Sequence, residues 1–229
     1  MIKLNVLIAC EESQAECAAF RALGHNAYSC DIQPCRRDGN PYWHILGDVT
    51  PLLRGDTAFV TQAGFLRCVP RWDLIVAHPP CTYLCRLSSV LMKKEPLELC
   101  TAGFGSYVAN HDRFVHMVSA RDFFFECLGA AAHYVCVENP IPMKMANLPR
   151  PTTFVCPSWF GVKYTKKTLY WLKNLPPLMP TIFHPKPRCY VRSSRGKYRS
   201  RTFPELADAL AQQFSAAIIQ DIKNGLYQL

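Results

Sequence analysis

The chain lacks any apolar run approaching the roughly 20 residues needed to span a bilayer, so no membrane partner is expected. Its apolar start, Met1 to Cys10, is short and runs directly into Glu11-Glu12, so no signal peptide is expected and the anticipated location is cytoplasmic. No Cys-x-x-Cys pair occurs among its 12 cysteines. Cys81 and Cys85 stand four apart with no matching Cys/His pair, which gives a zinc site little basis, and no metal is expected. The thiols are scattered through apolar segments of a 229-residue chain, which fits reduced cysteines better than a disulfide scaffold. There is no internal repeat and no low-complexity segment, which excludes a repeat array. Charged residues make up only 19% against 49% hydrophobic, the balance of a globular rather than a disordered chain. The length suits one α/β domain, or one domain with a small appendage.

What charge there is leans positive, with 26 Lys+Arg against 17 Asp+Glu. A basic balance favours polyanionic partners without identifying them. Lys163, Lys166, Lys167 and Lys173 form one cluster. Lys186, Arg188, Arg192, Arg195, Lys197, Arg199 and Arg201 form a second, interleaved with Tyr190 and Tyr198, so that cations alternate with stacking surfaces. The same run also reads as a solvated loop.

The most informative stretch is Arg71 to Cys85. Leu74 to Ala77 is short, apolar and unbroken, the pattern of a strand buried on both faces of a parallel sheet. Pro79 and Pro80 then fix φ and remove two N–H donors, so the chain leaves the sheet with little freedom. Cys81 is thereby presented at a strand's carboxyl end, where open α/β sheets bind ligands. Taken alone, it reads more readily as a buried cysteine in a proline-rich turn.

Around this stretch the pattern is strand, helix, strand. Leu4–Cys10 reads as a first strand, Ser13 as a helix N-cap, and Ala15, Cys17, Ala18, Phe20 and Leu23 as a helical apolar series ended by Gly24. Ala27–Ile32 reads as a second strand finishing on Asp31, an acid about 20 residues past the first turn that either holds ribose hydroxyls or shapes the strand end. Ile45–Val49 reads as a third strand end carrying Asp48, and Leu52–Val69 has no clear pattern, with room for a short helix. Arg86–Ala109 lacks periodicity and reads as a flap, and Phe114–Leu128 as an amphipathic helix. His133–Pro140 is a second buried strand ending in an acid and a proline, which would set a carboxylate beside the thiol if the two strands are neighbours. Thr152–Cys156 and Thr168–Leu172 read as an antiparallel pair, and Pro204 opens a last helix.

With these pieces in order, the sequence resembles the DNA cytosine-5 methyltransferases, S-adenosylmethionine-dependent enzymes with a Pro-Cys nucleophile. Val6–Gly24 is similar to the family's first strand, cofactor turn and helix, Pro79-Pro80-Cys81 to its catalytic loop, and Glu138-Asn139 to its base-gripping pair. Thr202-Phe203-Pro204 and the last helix are similar to its closing segment. The resemblance implies a doubly wound, Rossmann-like class I methyltransferase sheet, mostly parallel with an antiparallel edge strand, in a single domain over 1–229. It implies a flap at 86–110 and a short basic recognition loop at 175–201. Cys81 and Glu138 become catalytic. On this resemblance S-adenosylmethionine is expected to be held by Cys10, Glu11, Ser13, Asp31, Ile32, Asp48, Val49 and Pro79. DNA is expected to be met by Pro80, Asn139, Lys166, Lys167, Arg195, Lys197 and Arg199. The chemistry explains the residue types: a thiolate adds to C6 of cytosine so that C5 becomes enamine-like, and an acid at N3 absorbs the developing charge. A stacked base is out of reach and must be flipped.

Three departures from the family bear on function. The first turn, Ala9-Cys10-Glu11-Glu12-Ser13, has no glycine where backbone must approach the cofactor. Lysines 166 and 167 replace paired arginines, a point charge in place of a bidentate fork. The recognition region is short, so the loop reads a very short site, or a protein partner supplies recognition, or the substrate is RNA or a nucleotide. Two other readings remain in view: amino-group methylation, which needs an aromatic residue where Cys81 stands, with Tyr83 displaced by two, and a degenerate fold kept as a nucleic-acid-binding module.

Overall fold

The computed structural model describes residues 2–92, 111–189 and 202–228. The chain runs through β1 (Asn5–Ala9), α1 (Ala15–Ala22), β2 (Asn26–Asp31), β3 (His44–Leu46), α2 (Thr50–Leu53), β4 (Ala58–Val60), β5 (Leu66–Cys68) and β6 (Leu74–Ala77). It continues with α3 (His111–Leu128), β7 (Tyr134–Pro140), β8 (Thr153–Val155), β9 (Tyr164–Thr165), β10 (Thr168–Lys173), β11 (Arg188–Cys189) and α4 (Pro204–Lys223). The result is a mixed α/β protein built on a mostly parallel seven-stranded sheet, in the order β3-β2-β1-β6-β7-β10-β8. Strands β3, β2, β1, β6 and β7 are all parallel, while β10 runs antiparallel to both β7 and β8, so the antiparallel strand expected at the edge stands one place in from it and the edge strand β8 runs with the parallel set.

Strands buried on both faces need apolar residues at every position, and Leu74-Ile75-Val76-Ala77 supplies them without interruption. Alternation then divides them. Val6, Ile8, Leu74, Val76, Tyr134 and Cys136 meet Phe20 of α1 and Leu210 and Phe214 of α4. Leu7, Ala9, Ile75, Ala77, Val135 and Val137 meet α2 and α3 through residues such as Leu53 and Phe124. Helices therefore cover both faces. The reversal of strand order lies between β1 and β6, whose carboxyl ends open a crevice on one edge.

The first turn corrects two sequence expectations. Ser13 does not cap α1: Gln14 holds the cap position in the left-handed region at φ 58°, and the Glu11 carboxylate accepts the Glu16 and Cys17 N–H groups at 2.8 and 3.3 Å. The left-handed residue swings Ser13 off the helix axis, so an acid three residues earlier satisfies the open donors. Of the apolar residues read for α1, Cys17 and Phe20 are fully buried and Ala15 and Leu23 pack against the same core, whereas Ala18 is exposed and Glu16 is fully buried.

Cys10 also lies in the left-handed region, at φ 61°. Two non-glycine residues thus adopt there what glycine would adopt freely, at roughly 1–2 kcal/mol each. Gln14 is held by its side chain, whose amide donates to Ser29 Oγ and the Asn40 carbonyl at 3.1 Å each and accepts from the Asn40 N–H at 2.5 Å. Ser29 in turn donates to Nδ1 of His44 at 2.8 Å, and His44 Nε2 donates to the Gln33 carbonyl at 2.9 Å, an arrangement of a neutral imidazole. Burial pushes the His44 pKa down, consistent with that state.

Phe214 is fully buried between α4 and the sheet, whereas Asp208 on the same helix is exposed. We expect Phe214→Ala to cost about 3–5 kcal/mol in urea unfolding and Asp208→Ala to stay within about 0.5 kcal/mol. A loss below about 1 kcal/mol for Phe214→Ala would show that α4 does not close this face.

Candidate active site

The register of β6 against β7 determines which side chains meet. Val76 pairs with Cys136 and Ala77 with Val137, so the next step brings His78 beside Glu138, both directed to the face covered by α1 and α4. The His78 N–H continues the ladder to the Ala9 carbonyl at 2.9 Å. The chain then turns through buried Pro79 and exposed Pro80, leaving Cys81 half-buried at the crevice.

The loops after β6 and β7 are tied to each other. Arg86 N–H donates to the Ile141 carbonyl and Met143 N–H to the Leu84 carbonyl, both at 2.7 Å, and Cys85 forms a bridge with Pro142. From the other side α3 holds the Cys81 loop, with His116 stacked on Tyr83 at 4.9 Å between ring centroids and Arg113 set over the Tyr83 ring at 5.0 Å. Tyr83 is thus engaged with α3, which is unfavourable to the reading in which it stacks a target base.

Cys81 begins a tight turn in which its carbonyl accepts from Leu84 and Cys85 N–H at 3.0 and 2.9 Å. That turn brings the two thiols into hydrogen-bonding contact. The contact with Cys85, with burial and the Glu138 charge behind it, raises the Cys81 pKa. The same contact lowers that of Cys85 against the effect of its own burial, helped by Ser88 Oγ at 3.5 Å and the N–H groups of Leu87 and Ser88.

Glu138 lies against Lys166 and Thr168 and accepts from His78 Nδ1 at Oε2, 3.3 Å away. Burial pushes its pKa up, but His78 and Lys166 outweigh burial and hold it below the usual carboxylate range. The proton-donor role expected of Glu138 therefore needs a proton that the resting carboxylate does not carry. His78, Glu138, Lys166 and Thr168 line a cavity of about 20 Å³ closed by Phe203 and Leu206 at the start of α4, room for about one water. Thr202 and Phe203 of the expected closing segment do reach this site.

Asn139 and Lys167 do not join the group. Asn139 is fully buried on the opposite face of β7 with its amide on the Pro140 carbonyl at 2.7 Å, and Lys167 sits over the Phe154 ring at 4.1 Å. Arg195, Lys197 and Arg199, and residues 93–110 of the expected flap, lie outside the described residues. Arg86–Met92, its first part, forms a 3₁₀ helix.

A second group lies across the crevice. Asp31 and Asp48 both act electrostatically on Cys10 and Cys30, which gathers the carboxyl ends of β1 and β2 with the loop after β3. Asp31 Oδ1 accepts from Gln33 N–H at 2.8 Å and Asp48 Oδ1 from Thr50 N–H at 2.9 Å, so each acid also shapes its own turn. Ile32 beside them is 78% exposed, while Val49 is buried.

Sequence reasoning missed His78 and Glu16. The available signals were a histidine in step with Glu138 immediately after a buried strand, and a lone acid in an otherwise apolar helical turn. No protein-family model matches the chain, and no curated protein sequence does. Among solved structures it is similar to an E. coli prophage-encoded protein provisionally called a DNA modification methyltransferase, at 14% identity and a TM-score of 0.40. That similarity covers 80% of this chain and 52% of the other, so the chain spans about half the length of the protein it resembles.

Glu11 is buried, and burial together with the Glu16 charge raises its pKa from 4.5 to about 7. Between these values the unfolded chain loses this proton first, so the group withdraws stability as pH rises through that window. We expect Glu11→Gln to remove this contribution, so that the variant gains on wild type from pH 5 to pH 7.5 in urea unfolding. A wild-type-to-variant difference that does not change with pH would refute it.

Proposed function

We propose that the chain is an S-adenosylmethionine-dependent methyltransferase that modifies C5 of cytosine in DNA through a covalent Cys81 adduct. The observation that carries this reading is the pairing of Cys81 and Glu138 at the carboxyl ends of adjacent parallel strands. Helices on both faces and the reversal of strand order beside β1 support a doubly wound, class I arrangement.

The residues of the other group fit the cofactor. Asp31 can take ribose hydroxyls, exposed Ile32 offers an apolar surface to an adenine ring, and Asp48 can meet its amino group. The left-handed Cys10 and Gln14 give the turn the shape that glycines would have given it, with Glu11 turned inward on α1 and away from a ligand. S-adenosylmethionine, when bound, supplies an electrophilic methyl group.

The chain's own residues do the rest. Cys81 attacks C6 of the base, and Cys85, already accepting its hydrogen bond, takes the thiol proton as the bond forms. Glu138 faces N3, and Lys166 stabilises its charge. The net charge of +9, with cationic clusters at 163–173 and 186–201, favours a polyanionic substrate. Half-burial of Cys81 demands that a duplex base be flipped to reach it. Arg195, Lys197 and Arg199 are assigned to phosphate or base contacts in the short recognition loop.

The test is trapping on DNA bearing 5-fluorocytosine with S-adenosylmethionine, read as a covalent adduct on a denaturing gel. Fluorine cannot leave as the C5 proton does, so a Cys81-dependent adduct that Cys81→Ser abolishes is expected. Cofactor binding without an adduct would move the substrate to RNA or a nucleotide, and no cofactor binding would favour a binding module. In the same assay we expect Cys85→Ala to slow adduct formation at pH 7 about 10–100-fold and to recover as pH rises. An unchanged rate would remove Cys85 from the reaction.

A further inference from the structure

Glu138 is not the end of the polar chain in the core. His78 stands between two carboxylates, with Nδ1 3.3 Å from Glu138 Oε2 and Nε2 3.0 Å from Glu16 Oε2. Only an imidazolium donates from both nitrogens. The His78 side chain is 15% exposed and that of Glu16 not at all. Among the described residues Glu16 Oε1 has no hydrogen-bond partner, and a buried carboxylate oxygen left this way is costly in a structural ion pair. A purely architectural role for Glu16 gives that cost no return.

Resting on the methyltransferase reading, we propose that His78, held by Glu16, is the proton reservoir for Glu138 and supplies the proton that the target base takes up at N3. The groups facing His78 are Glu16 and Glu11 from α1 and the turn before it, Glu138 and Cys136 from β7, and Tyr170 and Lys166 from β10 and its approach. The described start of α4 presents only Phe203 and Leu206 to the cavity, so no further charge competes from that side. Burial works against a proton on His78, but the two carboxylates more than offset it and keep the imidazolium well above its ordinary range.

The proton balance follows. Cytosine N3 is an acceptor, so it meets Glu138 favourably only once the His78 Nδ1 proton has passed to the Glu138 carboxyl group. The Cys81 sulfur pair then forms the S–C6 bond, the C5–C6 π pair shifts to C4–C5, and the C4–N3 π pair takes the Glu138 proton. Glu138 is left as a carboxylate and His78 as neutral imidazole, still donating from Nε2 to Glu16. After substitution at C5 the C5 proton leaves to water and the S–C6 bond breaks. The N3 proton then returns through Glu138 to His78. The proton is lent and recovered within one turnover. His78 is a positioning and proton-supplying residue that acts through Glu138.

Two measurements test this. The first needs no activity: 15N-histidine NMR of the full chain, with His78 assigned by its loss in His78→Gln. The His78 ring is expected to be an imidazolium at pH 7.5 and to lose its proton at lower pH in Glu16→Gln; a neutral ring at pH 7.5 overturns the proposal. The second is the pH profile of methyl transfer. His78→Gln should lower kcat about 10²–10³-fold with cofactor affinity unchanged, and Glu16→Gln should move the alkaline limb to lower pH. Profiles that superimpose on wild type overturn the proposal. If wild type transfers no methyl group at all, the functional reading fails, and the NMR titration decides the bridge by itself.

Discussion

Parallel pairing of β6 with β7 is the constraint from which the site follows. Because side chains alternate along a strand and the register sets Ala77 against Val137, His78 and Glu138 must share a face, and α1 must bring Glu16 onto them. A slip of one residue would turn Glu138 toward the other core and leave His78 facing an apolar neighbour. The two fully buried faces forbid this, since every slipped residue would exchange one core for the other. The strands that build the hydrophobic interior therefore also fix the chemistry at its edge.

Charge buried at such an edge has to be compensated. Glu11 is offset by the open N–H groups of α1, Glu138 by His78 and Lys166, and His78 by two acids. Each group depends on the next, so the cluster responds to a change in proton content as a unit. The two thiols repeat the pattern on a smaller scale, in contact with each other where the 3₁₀ helix offers N–H groups to Cys85. A site of this kind is held ready to exchange protons before any substrate arrives.

Much of this could be read from the sequence, and the exceptions have physical causes. Unbroken apolar runs ending in Pro79-Pro80-Cys81 and in Glu138-Asn139-Pro140 were enough to predict two strand ends, because periodicity and proline act locally, while their adjacency is a long-range pairing that only the fold supplies. The antiparallel pairing of β8 with β10 was legible for the same reason, since no crossover helix separates them. The cap of α1 was not legible. Gln14 in a left-handed conformation is sustained by Ser29 and Asn40, partners distant in sequence, and no local rule places a glutamine there. Nor was Glu16, because an acid buried for the sake of a histidine 62 residues away looks in sequence like any solvated helix position. Asn139 and Lys167 are the converse case, suited in type but carried elsewhere by strand alternation and by the Phe154 ring.

The ties between the loops after β6 and β7 have a mechanical meaning. Two short backbone hydrogen bonds, which set Cys85 opposite Pro142, join the segments that carry the thiol and the carboxylate, so these groups travel together and their separation is insulated from breathing of the surface. With Pro157, Phe203 and Leu206 this shared frame encloses a space of about 20 Å³, so whatever enters is measured against a thiol and a carboxylate that keep their spacing.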